Sequence, residues 1–418
     1  MSELAHGTLA GLAEIAGTGR DSRRGGYSRH LWQGADLELR AWFVERAERT
    51  GLLVETDRNG NLWAWWGEPG PDAVVTGSHL DSVPGGGAYD GPLGVVSALE
   101  AVARLKASGF TPSRPLAVLV FAEEEGSRFG IACLGSRLLT GGIDADRARA
   151  LVDADGITLA EAARRAGLDP AHLGADRDAL ARIGLFLELH VEQGRGLVDL
   201  GRPVAVASSI LAHGRWRLTV TGQGNHAGAT PMPGRRDPVV AAARAIVAVQ
   251  DEALNHPGAR ATVGRLEVVP GGTNVIASSV HAWLDARAHT DADTRALVTA
   301  IGAAVSEAVT VNGCSVAVTE ESWTGTVTFD PDLVGRFRAA LGGAAADGTD
   351  GTDGGAALVP ALPTGAGHDA GVLAASVPSA MLFVRNPTGV SHSPEEFAEV
   401  ADCVAGIDAL ETLLRSLL

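Results

Sequence analysis

The chain has 418 residues, 45% apolar and 20% charged, a globular balance at a length beyond what one hydrophobic core usually serves, so two domains are expected. With 50 acidic against 34 basic residues the formal net charge is −16, which argues against nucleic acid or an anionic membrane as partner. Cys133, Cys314 and Cys403 are far apart without a Cys-x-x-Cys pair, no basic-then-apolar leader opens the chain, and no stretch approaches the ~20 apolar residues of a membrane span, so a cytoplasmic protein is expected.

In chain order, residues 1–56 read as helical, with Leu37, Leu39, Trp42, Phe43 and Ala47 as an apolar stripe and Gly51 as a stop. A strand follows at 60–67, where Trp63, Trp65 and Trp66 read as packing residues. Next come a strand at 74–79, a loop through Gly85, Gly86 and Gly87, a helix over 91–108 and a strand at 116–121. Such alternation predicts a sheet covered by helices on both faces. A further strand at 185–189 runs into His190.

Between 213 and 327 the order changes to strand 216–221, helix 238–254, strands 262–269 and 280–288, helix 291–309 and strand 315–319. That is the split βαβ order of a ferredoxin-like sandwich, expected as a second domain inserted into a first made of residues 1–212 and 328–418. The predicted fold class is therefore α/β, a mixed-sheet α/β domain carrying an inserted α+β domain. The low-complexity stretch 342–355, short of large apolar residues, is expected to be a mobile surface loop.

The chemistry gathers at strand ends. His79 and Asp81 stand i, i+2 where the 74–79 strand finishes, and the glycine-rich loop presents Asp90. Imidazole nitrogen and carboxylate oxygen are donors for a zinc-like ion, and Asp81 is placed to hold the His79 ring in one tautomer. Adding Glu125, His190 and His392 gives five donors, each at a strand end or in an adjoining loop. Five suffice for two ions if one carboxylate bridges. In the 280–288 strand, Val280, Ala282, Leu284 and Ala286 alternate with His281, Trp283, Asp285 and Arg287, which leaves Arg287 on the open sheet face. There it suits an anionic ligand or else pairs with Asp285. His213, His281 and His289 fall into no group and read as surface or core residues.

Longer motifs span the chain: Gly77-Ser78-His79-Leu80-Asp81-Ser82, Asp90-Gly91, Glu123-Glu124-Glu125-Gly126-Ser127-Arg128-Phe129, His190-Val191-Glu192-Gln193-Gly194, His226-Ala227-Gly228-Ala229-Thr230-Pro231-Met232, Gly272-Thr273-Asn274-Val275-Ile276, Gly365-Ala366-Gly367-His368-Asp369-Ala370 and Ser391-His392-Ser393-Pro394-Glu395. On these the chain resembles the aminoacylase and glutamate carboxypeptidase superfamily of two-metal hydrolases, and within it the branch of allantoate amidohydrolases and N-carbamoyl-L-amino acid hydrolases. The resemblance implies that Asp90 bridges two divalent ions, with His79 and His190 on one and Glu125 and His392 on the other. Zn or Mn come first, and Co or Ni suit the same donors.

It also implies Glu124 as general base and His226 as stabiliser of the oxyanion, with Gln193, Asn274, Arg287, Gly367 and His368 at the substrate. The planar fork of Arg287 matches a substrate carboxylate. The inserted domain is expected to act as a lid and to join a homodimer. His190 stands where the peptidase branch carries a carboxylate and so fits the carbamoylase-like branch. One departure is His213-Gly214-Arg215, where allantoate amidohydrolases carry Gln-Arg-Arg.

The implied reaction is hydrolysis of a linear C–N amide in a ureido- or carbamoyl-capped amino acid, with allantoate the first candidate. An N-formyl or N-acyl deacylase or a dipeptidase of the same superfamily would use the same chemistry. A binding protein that has lost catalysis would lack a ligand or the base, whereas His79, Asp90, Glu124, Glu125, His190 and His392 are all present.

Overall fold

The computed structural model describes residues 9–342 and 358–418, so the predicted surface loop lies outside the described residues except at Gly342. The strands are β1 (Leu53–Thr56), β2 (Leu62–Trp66), β3 (Ala73–His79), β4 (Leu116–Phe121), β5 (Ile183–Val191), β6 (Val204–Ile210), β7 (Ala212–Thr221), β8 (Asn225–His226), β9 (Arg260–Val269), β10 (Val275–Ile276), β11 (Ser279–Ala288), β12 (Ser315–Thr324), β13 (Val327–Thr328), β14 (Ala361–Thr364) and β15 (Ser379–Val384). The chain divides into two compact units, Met1–Ser209 with Thr328–Leu418, and Ile210–Val327.

The first unit is built on a mixed sheet in the order β1-β2-β4-β3-β5-β15-β6-β13, with β14 also pairing β6. Neighbours β4, β3, β5 and β15 run parallel, while β2 and β6 join antiparallel. Every residue of β3 and of β4 is buried, which explains why both read as continuous apolar runs rather than as alternation. Leu185, Leu187, Leu189 and Val191 of β5 join one large core with the helices Pro92–Ala107 and Val400–Leu417. Each fully buried Leu or Phe there contributes about 1.5–3 kcal/mol. Because side chains alternate along a strand, Phe186, Glu188 and His190 point to the opposite face. His79 points the same way, since Val74, an odd number of positions earlier, belongs to that core.

The N-terminal segment meets the helical expectation in part, and residues 1–8 of it lie outside the described residues. Helices cover Ala10–Ile15 and Gly34–Arg49, and between them the chain makes bridges from Arg20 to Tyr27 and from Tyr27 to Gly86. Gly25 and Gly26, with φ of 76° and 58°, turn the backbone there, and pairing with the distant glycine loop outweighs local helix propensity. Leu39, Phe43 and Ala47 are buried, but Leu37 of the expected stripe is 48% exposed. Residues 53–56 form β1 instead of continuing the helix. Trp63 and Trp65 are both buried and stack with ring centroids 5.5 Å apart.

In the second unit β12-β7-β11-β9 form a four-stranded antiparallel sheet. The helices Pro238–Asn255 and Asp291–Thr310 share one core with Leu218, Val220, Val280, Ala282, Leu284 and Ala286. Along β11 burial alternates residue by residue, as one covered face requires. A short pairing of β8 with β10, which periodicity did not predict, sets His226 opposite Val275. No helix among the described residues is long and apolar enough to cross a membrane.

Candidate metal centre

His79 closes β3, Glu123 to Glu125 follow β4, His190 lies near the end of β5, and His392 sits in the loop after β15. All four strand ends lie on the same edge of a parallel array, the edge at which α/β sheets carry their chemistry. The loop after β3 returns Asp90 to that edge. Gly91 completes the return: its φ is 81°, and a Cβ on it would lie 2.5 Å from the His79 ring.

Asp90 organises the cluster. Its Oδ1 lies 3.4 Å from His79 Nε2 and 3.2 Å from His190 Nε2. Its Oδ2 lies 3.5 Å from His392 Nε2, which in turn is 3.4 Å from Glu125 Oε2. The donors therefore fall into two groups, His79, Asp90, His190 and Asp90, Glu125, His392, each with ligand atoms within 4.8 Å of one another.

The hydrogen bonding of the rings tests whether a cation fits. His79 Nδ1 lies 3.1 Å from the Asp81 carbonyl oxygen and His190 Nδ1 lies 2.8 Å from that of Val191, so both Nδ1 atoms carry the proton. Each Nε2 is buried, without a hydrogen-bond partner among the described residues, and faces the Asp90 carboxylate; burial disfavours the charged rings, but Glu124 and its neighbours raise the pKa of His79 well above the usual imidazole value and Asp90 raises that of His190. Without a metal a proton on each Nε2 meets the carboxylate; a divalent ion that prefers nitrogen and oxygen would take that place, with the Nε2 lone pairs and an Asp90 oxygen as its ligands. The residues present fit the ion.

The charges agree. Burial raises the pKa of Asp90, but the facing His190 and His79 overrule it and hold the group well below the usual carboxylate range. Glu125 is pushed up to about 8, by burial first and by Asp90 second. Glu124 is driven well above the usual range by burial, with His79 opposing and Asp369 and Glu125 reinforcing. A site with this many carboxylates lacks positive charge, which divalent ions bring.

The backbone of Asp81, rather than the expected carboxylate, lies nearer to the His79 ring. Its carbonyl is nearer to His79 Nδ1 than its carboxylate, which lies at 3.5 Å. The carboxylate accepts from the backbone N–H of Glu124 at 3.2 Å and of Glu125 at 3.1 Å, fixing the exit of β4 against that of β3. Glu124 Oε1 accepts from the Cys133 thiol at 3.1 Å, and Oε2 lies 3.6 Å from His79 Nε2.

Gln193, expected to orient the substrate, donates from Nε2 to Asp90 Oδ2 at 2.6 Å. His368 is buried edge-on against His190 with ring centroids 4.6 Å apart. Burial and His190 hold its pKa well below the ordinary imidazole value, so the ring is neutral. Gly367, next to it, has no atom within 4 Å of where a Cβ would stand.

Glu188, His190 and His368 form a third close group of donors. It cannot hold an ion of its own while the first group does: His190 has only Nε2 to offer, and Glu188 already accepts from Ser78 Oγ at 2.8 Å and from the Ala370 N–H at 3.0 Å.

The other predicted residues belong to the second unit. His226 is exposed, and its Nδ1 accepts from the N–H groups of Gly228 and Ala229 at 3.1 Å each, which leaves the ring proton on Nε2 as a donor. The Asn274 carbonyl accepts from Ala227 at 3.0 Å, so the two motifs meet. Arg287 makes two bonds to Asp285, at 2.6 and 3.0 Å, on the half-exposed face of β11.

Three acidic residues were not singled out from the sequence. Glu123 turns away from the cluster and accepts from Arg128 and Phe129, its own φ being 55°. Glu188 ties β3 to the segment after His368, and Glu396 bonds to Tyr89 and Asp90. For Glu188 a signal existed: an acid inside the apolar run of β5, two residues before a histidine and thus on its face.

Residues 75–416 match the model of peptidase family M20/M25/M40. The chain is 36% identical over 406 residues to an N-carbamoyl-L-amino acid amidohydrolase of Geobacillus stearothermophilus, covering 96% of this chain and 95% of that protein. It is 32% identical to an allantoate amidohydrolase of Escherichia coli, covering 94% and 93%. Among solved structures, an amidase of the hydantoinase/carbamoylase family from Burkholderia vietnamiensis superposes with a TM-score of 0.83 at 31% identity, covering 98% of this chain and 96% of that one. Matches of this extent, over a strand-end cluster that calls for cations, leave one assignment: the chain belongs to peptidase family M20/M25/M40, a metal-dependent hydrolase family, on its amidohydrolase branch.

Proposed function

We propose that the protein hydrolyses the linear C–N bond of a ureido- or carbamoyl-capped amino acid, with allantoate and N-carbamoyl-L-amino acids as the first substrates. The observation that carries this reading is the division of labour in Asp90, whose two oxygens face different histidines. His79, Asp90 and His190 would hold one divalent ion, and Asp90, Glu125 and His392 a second, with Zn or Mn ahead of Co or Ni. When bound, such ions supply Lewis acidity, polarising a carbonyl and lowering the pKa of water.

Glu124 is the base. Its Oε1 is held by Cys133 and its Oε2 faces the cluster, so one oxygen is positioned to take a proton from the attacking water and return it to the leaving nitrogen. Burial raises its proton affinity in the metal-free fold, and divalent ions beside it would oppose that shift and keep the carboxylate free to accept the proton. The Nε2–H of His226 is assigned to the oxyanion that forms as water adds to the carbonyl. Arg287 is assigned to the substrate carboxylate, which would compete with Asp285 for the same guanidinium fork. Asn274, Gln193, Gly367 and His368 are assigned to the ureido or amide end. A homodimer, closure of the inserted unit as a lid and a cytoplasmic setting belong to the same reading.

The test is to strip metal with a chelator, restore Zn, Mn, Co or Ni singly, and measure ammonia and the other products from allantoate and from N-carbamoyl and N-formyl amino acids. Metal-dependent ammonia from a ureido or carbamoyl substrate is expected. Formate with free amine and no ammonia would make it a deacylase, and no turnover with any metal would remove the hydrolytic reading.

A further inference from the structure

We propose that Glu396 is a positioning residue that ties the two loops bearing Asp90 and His392 into one unit, so that affinity for divalent ions depends on a carboxylate that contacts no ion. Its Oε1 accepts from the backbone N–H of Tyr89 and of Asp90, both at 3.0 Å, across more than 300 residues of sequence. Its Oε2 lies 3.3 Å from the hydroxyl of Ser391, the residue before His392, and that hydroxyl is also 3.2 Å from Asp90 Oδ2. One carboxylate thus reaches the backbone of the bridging ligand and the neighbour of the outermost ligand.

The surroundings are shaped for it. Glu396 is buried at 4% exposure, and Gly87 leaves the space its carboxylate fills, since a Cβ there would lie 2.1 Å from Oε1. Among the described residues Glu396 belongs to none of the donor groups able to hold an ion. Its Oε1 is committed to two backbone donors, and its Oε2 shares the single Ser391 hydroxyl proton with Asp90. Charge-assisted bonds of this kind are stronger than neutral ones, and the two N–H groups would otherwise be buried without partners. Without the tie, the Asp90 loop and the His392 loop fluctuate independently, and the ion must order both as it binds.

The inference rests on the metal-binding part of the proposed function and not on its substrate. The experiment accordingly uses zinc alone. Metal-free parent protein, Glu396→Ala and Glu396→Gln are titrated with zinc against a competing chelator, and bound zinc per chain is counted. Glu396→Ala is expected to weaken zinc binding roughly 10- to 100-fold, the usual effect of losing a residue that supports metal ligands. Glu396→Gln keeps an oxygen for both N–H groups and is expected within about threefold of the parent. Parent-like affinity in Glu396→Ala, or equal losses in both variants, overturns the proposal. If Glu396→Ala does not fold by thermal melting of the metal-free protein, Glu396→Asp, which keeps the charge but is one methylene short of the Tyr89 and Asp90 N–H groups, decides: an affinity about fivefold lower supports the tie, and an unchanged one overturns it. Because no substrate is present, these results stand whatever the chain hydrolyses.

Discussion

The ends of β3 and β5 and the middle of β11 treat charge in opposite ways. At the first, the buried Nε2 atoms of His79 and His190 crowd one buried carboxylate with further carboxylates behind it, an arrangement that within the protein only protons balance. On β11, Asp285 and Arg287 are half exposed and neutralise each other through two short bonds. A half-exposed pair of that kind is worth about 0–1 kcal/mol and asks for nothing further. A buried cluster of like dipoles and excess carboxylates is costly unless something positive joins it. The comparison teaches that the first region is incomplete without cations, whereas the second is complete but exchangeable.

Asp90→Ala should give the largest effect, because both donor groups share that residue. Loss of most bound metal and of activity is expected, read as metal content per chain. Retention of two ions would break the comparison at its strong end. Glu124→Gln should keep metal content while lowering kcat about 10^3-fold, which separates a base from a ligand. Arg287→Met tests the exchangeable side. If the guanidinium leaves Asp285 for a substrate carboxylate, KM rises roughly tenfold or more while thermal stability changes by less than about 1 kcal/mol. If KM stays put, the pair is only structural.

A pH dependence is expected in the metal-free protein alone. Glu125, ordinarily near 4.5, is held at about 8 in the metal-free fold by burial and by Asp90. A carboxyl that keeps its proton longer when folded contributes stability fully present below pH 4.5 and lost as pH rises through about 8. The melting temperature of metal-free protein should therefore fall across that window. Zinc should displace the proton from Glu125, so it should flatten the dependence and release protons on binding near pH 7, measurable by calorimetry in buffers of different ionisation enthalpy. A metal-free protein whose melting is flat over the window would remove Glu125 from the account.

Much of this architecture is legible in local patterns of the chain. Apolar, β-branched runs mark β3, β4 and β5, and the polar residues that end them mark the chemistry, because a parallel sheet buried on both faces leaves only its strand ends for polar groups. Alternation along β11 likewise reveals the face of Arg287. The N-terminal segment is legible only in part: the helix Gly34–Arg49 follows from its apolar residues, whereas the stretch around Tyr27 is set by pairing with Arg20 and Gly86, and residues 53–56 by pairing with β2.

By itself, then, the sequence determined which residue types stand at which strand ends, since periodicity is a local property of the chain. Tertiary structure decided the rest. Three consecutive glutamates look alike in sequence, yet a left-handed turn at Glu123 sends it to backbone donors, Glu124 to a thiol and Glu125 toward His392. Which oxygen of Asp90 meets which histidine, and that Glu396 closes on Asp90 from the far end of the chain, follow from strand order and loop path. No local pattern records those contacts, because they join residues that become neighbours only when the sheet has formed.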